Sequence, residues 1–309
     1  MLEMKIFLAR TQGFCAGVAR AIETVEQALA TCGTPLYIFH EIVHNTAVVE
    51  SFRSHGVTFV DDINLVPDGS RVIFSAHGVP PAVVARAAAK QLVTIDATCP
   101  LVTRVHQEAV KFSNKGMDVV LIGHKGHEEV TGTAGHVDPA LLHIIQKKED
   151  VEKLDIPAHK TIGFITQTTL SVDDTREIIL KLRARFPRLT GPAKDNICYA
   201  TQNRQDAIKE LAEQCDLILI CGSANSSNSN RLREKGEQLG IESHIIDNAR
   251  ELDLQLLEGR KNIGISSGAS VPRHIVEDVI EKIRERFYPL EIMTFDNPEK
   301  DIHFPLPIL

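Results

Sequence analysis

The sequence predicts an α/β protein built from three similar units with mainly parallel sheets. Three observations predict it. Short, continuous, branched-rich apolar runs alternate with longer amphipathic stretches, the pattern of βαβ crossovers and of strands covered on both faces. A Cys-containing loop recurs three times, in QGFC (12–15), DATC (96–99) and DNIC (195–198), each time before a helical pattern. Polar loops follow the apolar runs at comparable distances after each Cys. His44, His127 and Ser227 fall in the first of these loops, and His77, Thr168 and Ser270 in the second.

The strands read as KIFLA (5–9), LYIF (36–39), VIFS (72–75), VVLIG (119–123), IGFIT (162–166), LILIC (217–221) and NIGIS (262–266). Two helices carry clear signals. The stretch 17–33 ends on Gly33, a natural C-terminal stop. The stretch 171–187 opens with Ser171 and two Asp and halts at Pro187, which suits the helix dipole and its start and stop chemistry. The expected units are 14–96, holding Cys15, His44 and His77; 97–194, holding Cys99, His127, Glu129 and Thr168; and 195–285, holding Cys198, Ser226, Ser227, Asn228 and Ser270. The N-terminal strand 1–13 is expected to join the third unit. Residues 286–309 are read as a C-terminal tail, with its two late prolines on or across the surface.

Composition narrows the function classes. The chain has 309 residues, 43% hydrophobic and 24% charged, in keeping with a folded globular protein with its own large core. Its formal charge is −7, it has no Trp, and its basic residues are scattered, which argues against a nucleic-acid partner. No apolar run reaches the length of a membrane span, and the first residues lack the apolar core of a signal peptide, so the expected location is cytoplasmic. Six Cys without a CxxC pair suit thiols or metal ligands in a reducing compartment.

Four constellations carry chemistry. Thiolates from Cys15, Cys99 and Cys198 suit an iron–sulfur cluster, whose irons are held by Cys. With three ligands, one iron stays open to a substrate oxygen. Cys32, Cys215 and Cys221 sit at a helix end or in apolar sequence and read as core. Any single Cys is more often a small buried hydrophobe than a ligand; the repeat tips Cys15, Cys99 and Cys198 toward ligands, while spacing alone leaves the two readings level. His44, His77 and the pair His124/His127 follow strands beside Gly or Asn, and imidazole donates well to phosphate oxygens; any one of them alone is ordinarily a solvated loop residue. GSANSSNSN (222–230) reads as a strand end and a hydroxyl- and amide-rich helix start, which offers an anion both backbone and side-chain donors. Ser and Asn are also favoured plain caps, and neither a P-loop nor a GxGxxG is present. Glu129 in HEEV (127–130) is a candidate general acid; Glu128 beside it is an equal candidate on sequence grounds.

The motifs GFCAGV (13–18), HEIVHN (40–45), FSAHGV (74–79), DATCPLVTRVH (96–106), IGHKGHEEVTGT (122–133), TQTTLSVDDT (166–175), DNICYATQNRQ (195–205), SSNSNRL (226–232) and GAS (268–270) occur in one order from about residue 5 to residue 285. Together they resemble the 4-hydroxy-3-methylbut-2-enyl diphosphate reductases, the last enzymes of the non-mevalonate isoprenoid route. The resemblance implies three α/β units about a pseudo-threefold axis, with one central 4Fe–4S cluster per chain. It implies Cys15, Cys99 and Cys198 as cluster ligands. Diphosphate-binding groups would be His44, His77, His127, Ser226, Ser227, Asn228 and Ser270. Glu129 would be the proton source, with Thr168 near the substrate hydroxyl. The implied reaction is reductive dehydroxylation of the allylic alcohol to isopentenyl and dimethylallyl diphosphates. The electrons would come from an external one-electron donor such as a flavodoxin or ferredoxin. Two positions depart from the family pattern: Gln12 stands where Arg is frequent, and Glu128 where Pro is usual. A non-redox iron–sulfur hydro-lyase, an iron–sulfur sensor and a cluster-free anion binder are the competing classes. A reductant requirement separates the first from a reductase, and a sensor would need a basic recognition helix or a docking element.

Overall fold

The structure is a computed structural model and describes residues 4–194 and 196–309. Strands and helices alternate along the chain. The first third contains β1 (Met4–Leu8), α1 (Ala16–Cys32), β2 (Leu36–Phe39), α2 (Thr46–Ser54), β3 (Val57–Val60), β4 (Arg71–Phe74), α3 (Pro81–Ala89) and β5 (Val93–Asp96). The middle contains α4 (Pro100–Asn114), β6 (Asp118–Ile122), α5 (Glu128–Ala134), β7 (Leu142–Ile145), β8 (Ile162–Thr166), α6 (Val172–Arg185) and β9 (Leu189–Thr190). The last third contains α7 (Tyr199–Ala212), β10 (Leu217–Cys221), α8 (Ser227–Gln238), β11 (Ser243–Ile246), β12 (Asn262–Ser267), α9 (Arg273–Arg286) and β13 (Leu290–Met293).

These strands form three parallel sheets, ordered β3-β2-β4-β5, β7-β6-β8-β9 and β11-β10-β12-β1-β13. The three orders are one pattern repeated. In the last sheet, β1 takes the place that β5 and β9 take in the others, and β13 is added outside it. All seven strands read from the sequence are present.

The apolar runs form strands because both their faces are covered. Along β6, Val120 and Ile122 enter one core while Val119 and Leu121 enter another. Along β10, Leu217, Leu219 and Cys221 face one core and Ile218 and Ile220 the other. This is the side-chain alternation of a strand, with an apolar layer on either side. Helix α6 is capped as its sequence requires: the Ser171 hydroxyl accepts from the Asp174 N–H at 3.2 Å. Helix α1 stops at Gly33, whose φ of 66° is the left-handed stop.

By its internal contacts the chain divides into two compact units. One comprises the N-terminal segment to Val18, His44–Glu50 and Tyr199–His303, and contains the five-stranded sheet. The other comprises Ala19–Val43, Ser51–Cys198 and Phe304–Leu309, and contains both four-stranded sheets. Among the described residues, no helix is long and apolar enough to cross a membrane.

Candidate active site

Cys15, Cys99 and Cys198 immediately precede α1, α4 and α7. Each is fixed by the same main-chain contact. The Cys15 N–H donates to Ala269 O at 3.1 Å, the Cys99 N–H to Ala76 O at 3.0 Å and the Cys198 N–H to Thr168 O at 3.1 Å. Ala269, Ala76 and Thr168 lie in the loops that follow β12, β4 and β8, the equivalent strand of each sheet. One topological position therefore carries a thiol three times over.

The donor chemistry suits a thiolate-bound group. All three thiols are half-buried at helix N-termini, where backbone N–H groups favour an anionic ligand. The other cysteines differ. Cys215 and Cys221 are buried in the core of the five-stranded sheet, and burial pushes both thiols up to about 12. Such thiols resist the deprotonation that a metal ligand requires. Cys32 is the last residue of α1. None of the six is in a disulfide.

The unit with the five-stranded sheet holds Cys15, His44, Ser226, Ser227, Asn228 and Ser270. The polar run 223–230 is divided between a turn and the first turn of α8. Ser226 is the cap, accepting from the Ser229 N–H at 3.3 Å, and Ser227 opens the helix. Asn228 is buried, and neither its amide oxygen nor its amide nitrogen has a hydrogen-bond partner. A buried amide left bare is costly unless something else engages it. The Ser270 hydroxyl donates to His44 O at 2.9 Å, tying the loop after β12 to the loop after β2.

The other unit holds Cys99, Cys198, His77, His127, Glu129 and Thr168. Glu129 lies in the first turn of α5 and is 2% exposed. Its Oε1 accepts from the Thr168 N–H at 2.6 Å and its Oε2 from the Thr168 hydroxyl at 2.9 Å. The carboxyl is thus held by the same loop that anchors Cys198. His127 caps α5 in an unusual way, its Nδ1 accepting from the Glu129 N–H at 3.1 Å. A ring nitrogen that accepts carries no proton, so His127 is neutral and Nε2 is its N–H donor.

His77 sits half-buried in the loop after β4, with its ring 5.9 Å from that of His127 and nearly perpendicular to it. Two close approaches bring these residues together. Helix α5 lies so near the loop after β4 that a Cβ on Gly135 would fall 2.3 Å from Pro80 Cβ. Gly78 has a φ of 77°, and a Cβ there would meet His106 Cε1 at 2.6 Å. His106 is buried and stacks on His136 with ring centroids 4.2 Å apart.

Sequence reasoning did not rank Glu128 against Glu129. The structure separates them: Glu129 engages Thr168, whereas Glu128 Oε2 lies 2.9 Å from His77 Nδ1. Two further residues went unnoticed. Arg204 is fully buried in α7, its Nη2 donating to Gly13 O at 2.9 Å just before Cys15, and its Nη1 pairing with Glu299 at 3.0 Å. Asn196 Oδ1 accepts from the Thr166 N–H at 3.0 Å beside Cys198. A charged residue at helical spacing from Ala200, Ala207, Ile208 and Leu211 was the available signal for Arg204. A lone Asn before a Cys gave none.

Three parallel sheets, a thiol at one repeated position and a buried carboxyl held beside one of those thiols define an α/β protein with the donor set of a thiolate-ligated enzyme. The chain belongs to the LytB protein family, whose model matches residues 6–284. It is 50% identical over 309 residues to the 4-hydroxy-3-methylbut-2-enyl diphosphate reductase of Saccharophagus degradans, covering 98% of each chain. It is 48% identical over 307 residues to the reductase of the same name from Aromatoleum aromaticum, covering 99% of this chain and 98% of that one. Among solved structures, the E-1-hydroxy-2-methyl-but-2-enyl-4-diphosphate reductase of Plasmodium falciparum superposes with a TM-score of 0.95. That comparison has 36% identity and covers 99% of this chain and 96% of that one.

Proposed function

We propose that this chain reduces 4-hydroxy-3-methylbut-2-enyl diphosphate to isopentenyl and dimethylallyl diphosphates, the terminal step of the non-mevalonate isoprenoid pathway. Two electrons and two protons enter, the C–O bond breaks and water leaves. The observation that carries this reading is the single topological position shared by Cys15, Cys99 and Cys198, in a chain 50% identical end to end to a relative named for this reaction. In this reading the three thiolates hold one 4Fe–4S cluster, and each sheet with its Cys loop is one of three repeated units. When bound, such a cluster supplies one-electron transfer and, at an iron without a Cys, Lewis acidity. An external one-electron carrier of the flavodoxin or ferredoxin kind feeds it.

The chain's own residues bind, orient and protonate. His44, His77, His127, Ser226, Ser227, Asn228 and Ser270 engage the diphosphate. Its binding energy holds the allylic alcohol in place, so that the reacting groups need not meet by chance. Glu129 is the proton source, and its proton moves from a carboxyl oxygen to the leaving hydroxyl. Thr168 is placed to relay: with Glu129 protonated, its O–H can donate to the Thr168 hydroxyl 2.9 Å away, while that hydroxyl gives its own proton to the leaving oxygen.

The test is turnover of the allylic diphosphate by anaerobically prepared protein with a chemically reduced viologen. Both products are expected, and only with reductant. Glu129→Gln keeps the shape and the Thr168 contacts but has no proton to give. Its turnover should fall by about 10²- to 10⁴-fold with substrate affinity little changed. Dehydration without reductant would make the chain a hydro-lyase instead.

A further inference from the structure

We infer that Arg20, Arg104 and Arg204 are positioning residues for the three Cys loops, each reaching from the helix that follows one Cys to the loop that presents another. The inference rests on the proposed role of Cys15, Cys99 and Cys198 as ligands of one group and adds what holds their loops in place.

Hydrogen bonds fix two of the three arms. Arg20 lies in α1, which follows Cys15. Its Nη1 donates to Thr98 O at 3.1 Å and its Nη2 to Asp96 O at 3.3 Å, so one planar fork spans the loop just before Cys99. Its Nε donates to Pro305 O at 2.7 Å. Arg204 lies in α7, which follows Cys198. Its Nη2 donates to Gly13 O at 2.9 Å in the loop just before Cys15. Its Nη1 donates to Ala200 O at 3.1 Å and to the Glu299 carboxylate at 3.0 Å. Each arginine thus holds one Cys loop and one residue of the C-terminal segment. All the partners of Arg20 lie in its own compact unit, and so do those of Arg204.

The pattern is crossed. The helix after Cys15 serves the loop of Cys99, and the helix after Cys198 serves the loop of Cys15. Arg104 stands in α4, which follows Cys99, at the same distance from its Cys as Arg20 from Cys15. Its Nε is buried. The repeat of sheets and Cys loops assigns Arg104 to the remaining loop, 196–198, which lies in the same unit.

The anchor answers a need of the loop backbone. The donors of the Cys99 loop are already tied within the unit. Ala97 N–H donates to Phe74 O at 3.1 Å, Thr98 N–H to Asp96 Oδ1 at 2.9 Å and Cys99 N–H to Ala76 O at 3.0 Å. Loop carbonyls belong to no ladder, and Arg20 supplies the donors for two of them. At the Cys15 loop, Gly13 N–H donates to Ser267 Oγ at 3.1 Å and Gly13 O accepts from Arg204. A metal ligand works only where its supporting shell holds it to within about 0.5 Å. A guanidinium suits that shell, because its fork is rigid and always charged.

The experiment is hydrogen–deuterium exchange of the full chain, read by mass spectrometry with and without loaded iron, together with iron release to a chelator from the loaded chain. The variants are Arg20→Gln, Arg104→Gln, Arg204→Gln and Arg20→Lys. Arg20→Gln should speed exchange in residues 97–99 by about tenfold, the size of one charge-assisted hydrogen bond. Residues 13–15 should be unchanged, although they are nearer to Arg20 in sequence. Arg204→Gln should speed exchange in 13–15 and not in 196–198. Arg104→Gln should speed it in 196–198 and not in 97–99. Arg20→Lys should recover only part of the protection, since one ammonium lacks the fork that spans both carbonyls. Each glutamine variant should also release iron faster than wild type. Unchanged exchange in an assigned loop, or an equal rise in all three loops, overturns the proposal. Arg204 is fully buried, so its variant is the one at risk of unfolding. Arg20 is half-exposed and carries the test alone if needed, with exchange around the buried Cys215 and Cys221 as the report on the fold. A wild type that takes up no iron would refute the cluster, whereas the exchange pattern of the iron-free chain still decides the role of the arginines.

Discussion

Asn228 is 5% exposed, and both ends of its amide are bare. Without ligand this arrangement is a cost, since the group has lost water and gained nothing. Asn228→Leu should therefore stabilise the unliganded chain by about 1 kcal/mol while weakening diphosphate binding. Thermal unfolding and calorimetry on the same preparations would check it. A fall in stability together with the loss of binding would make Asn228 a structural residue. His106 offers a second prediction, in pH. Burial, reinforced by the nearby charge of His136 and opposed by Asp96, lowers its pKa from 6.5 to about 4. The unfolded chain takes up a proton near pH 6.5 that the folded chain refuses until about pH 4. The stability contribution is thus full above pH 6.5 and is lost as pH falls toward 4, amounting to about 3 kcal/mol. Urea unfolding at pH 7 and pH 4.5 should show wild type losing more stability than His106→Gln. Equal losses would mean that His106 is protonated in the fold. Nothing in the sequence around His106 marks it as buried. Only its stacking on His136 and its fit against Gly78 reveal it.

At the scale of the elements, the segment after α9 has more to do than a tail. Strand β13 pairs with β1, and Glu299 reaches back to the buried Arg204. Arg204 in turn holds Gly13 O, two residues before Cys15. Glu299→Gln leaves a buried guanidinium without its counter-charge, which costs about 3 kcal/mol. The unfolding free energy should drop by that amount, and a change below about 0.5 kcal/mol would place the pair in solvent. This contact was illegible because a carboxylate in polar sequence gives no sign of burial. The seven central strands were legible for the opposite reason, as unbroken apolar runs. The missed strands lie toward the sheet edges and have mixed exposure: β5 buries only Ile95, and β3 exposes Thr58. Half-covered strands carry weaker patterns. Glu129 was nameable but not placeable from sequence, since its partner Thr168 lies far along the chain in the loop after β8.

For the whole molecule, the repeat was the most informative signal in the sequence, and its physical basis is now plain. Each Cys loop follows the same strand position and bonds the loop after the equivalent central strand. The sequence could show that Cys15, Cys99 and Cys198 recur, because each stands in a loop just before a helical pattern. It could not show that their N–H groups find equivalent carbonyls, which depends on parallel pairing between strands distant in the chain. The resemblance carried the activity and most of the site residues, and the bottom-up reading supplied the reasons those residue types suit it. The central claim is that these three thiolates, and not the other three, hold one cluster. Iron and acid-labile sulfide should be measured in anaerobically purified wild type and in Cys15→Ser, Cys99→Ser, Cys198→Ser and Cys32→Ser. The account predicts about four iron and four sulfide per chain in wild type and Cys32→Ser, and their loss in each of the other three. No iron in wild type after reconstitution, or retention through all three substitutions, would contradict it.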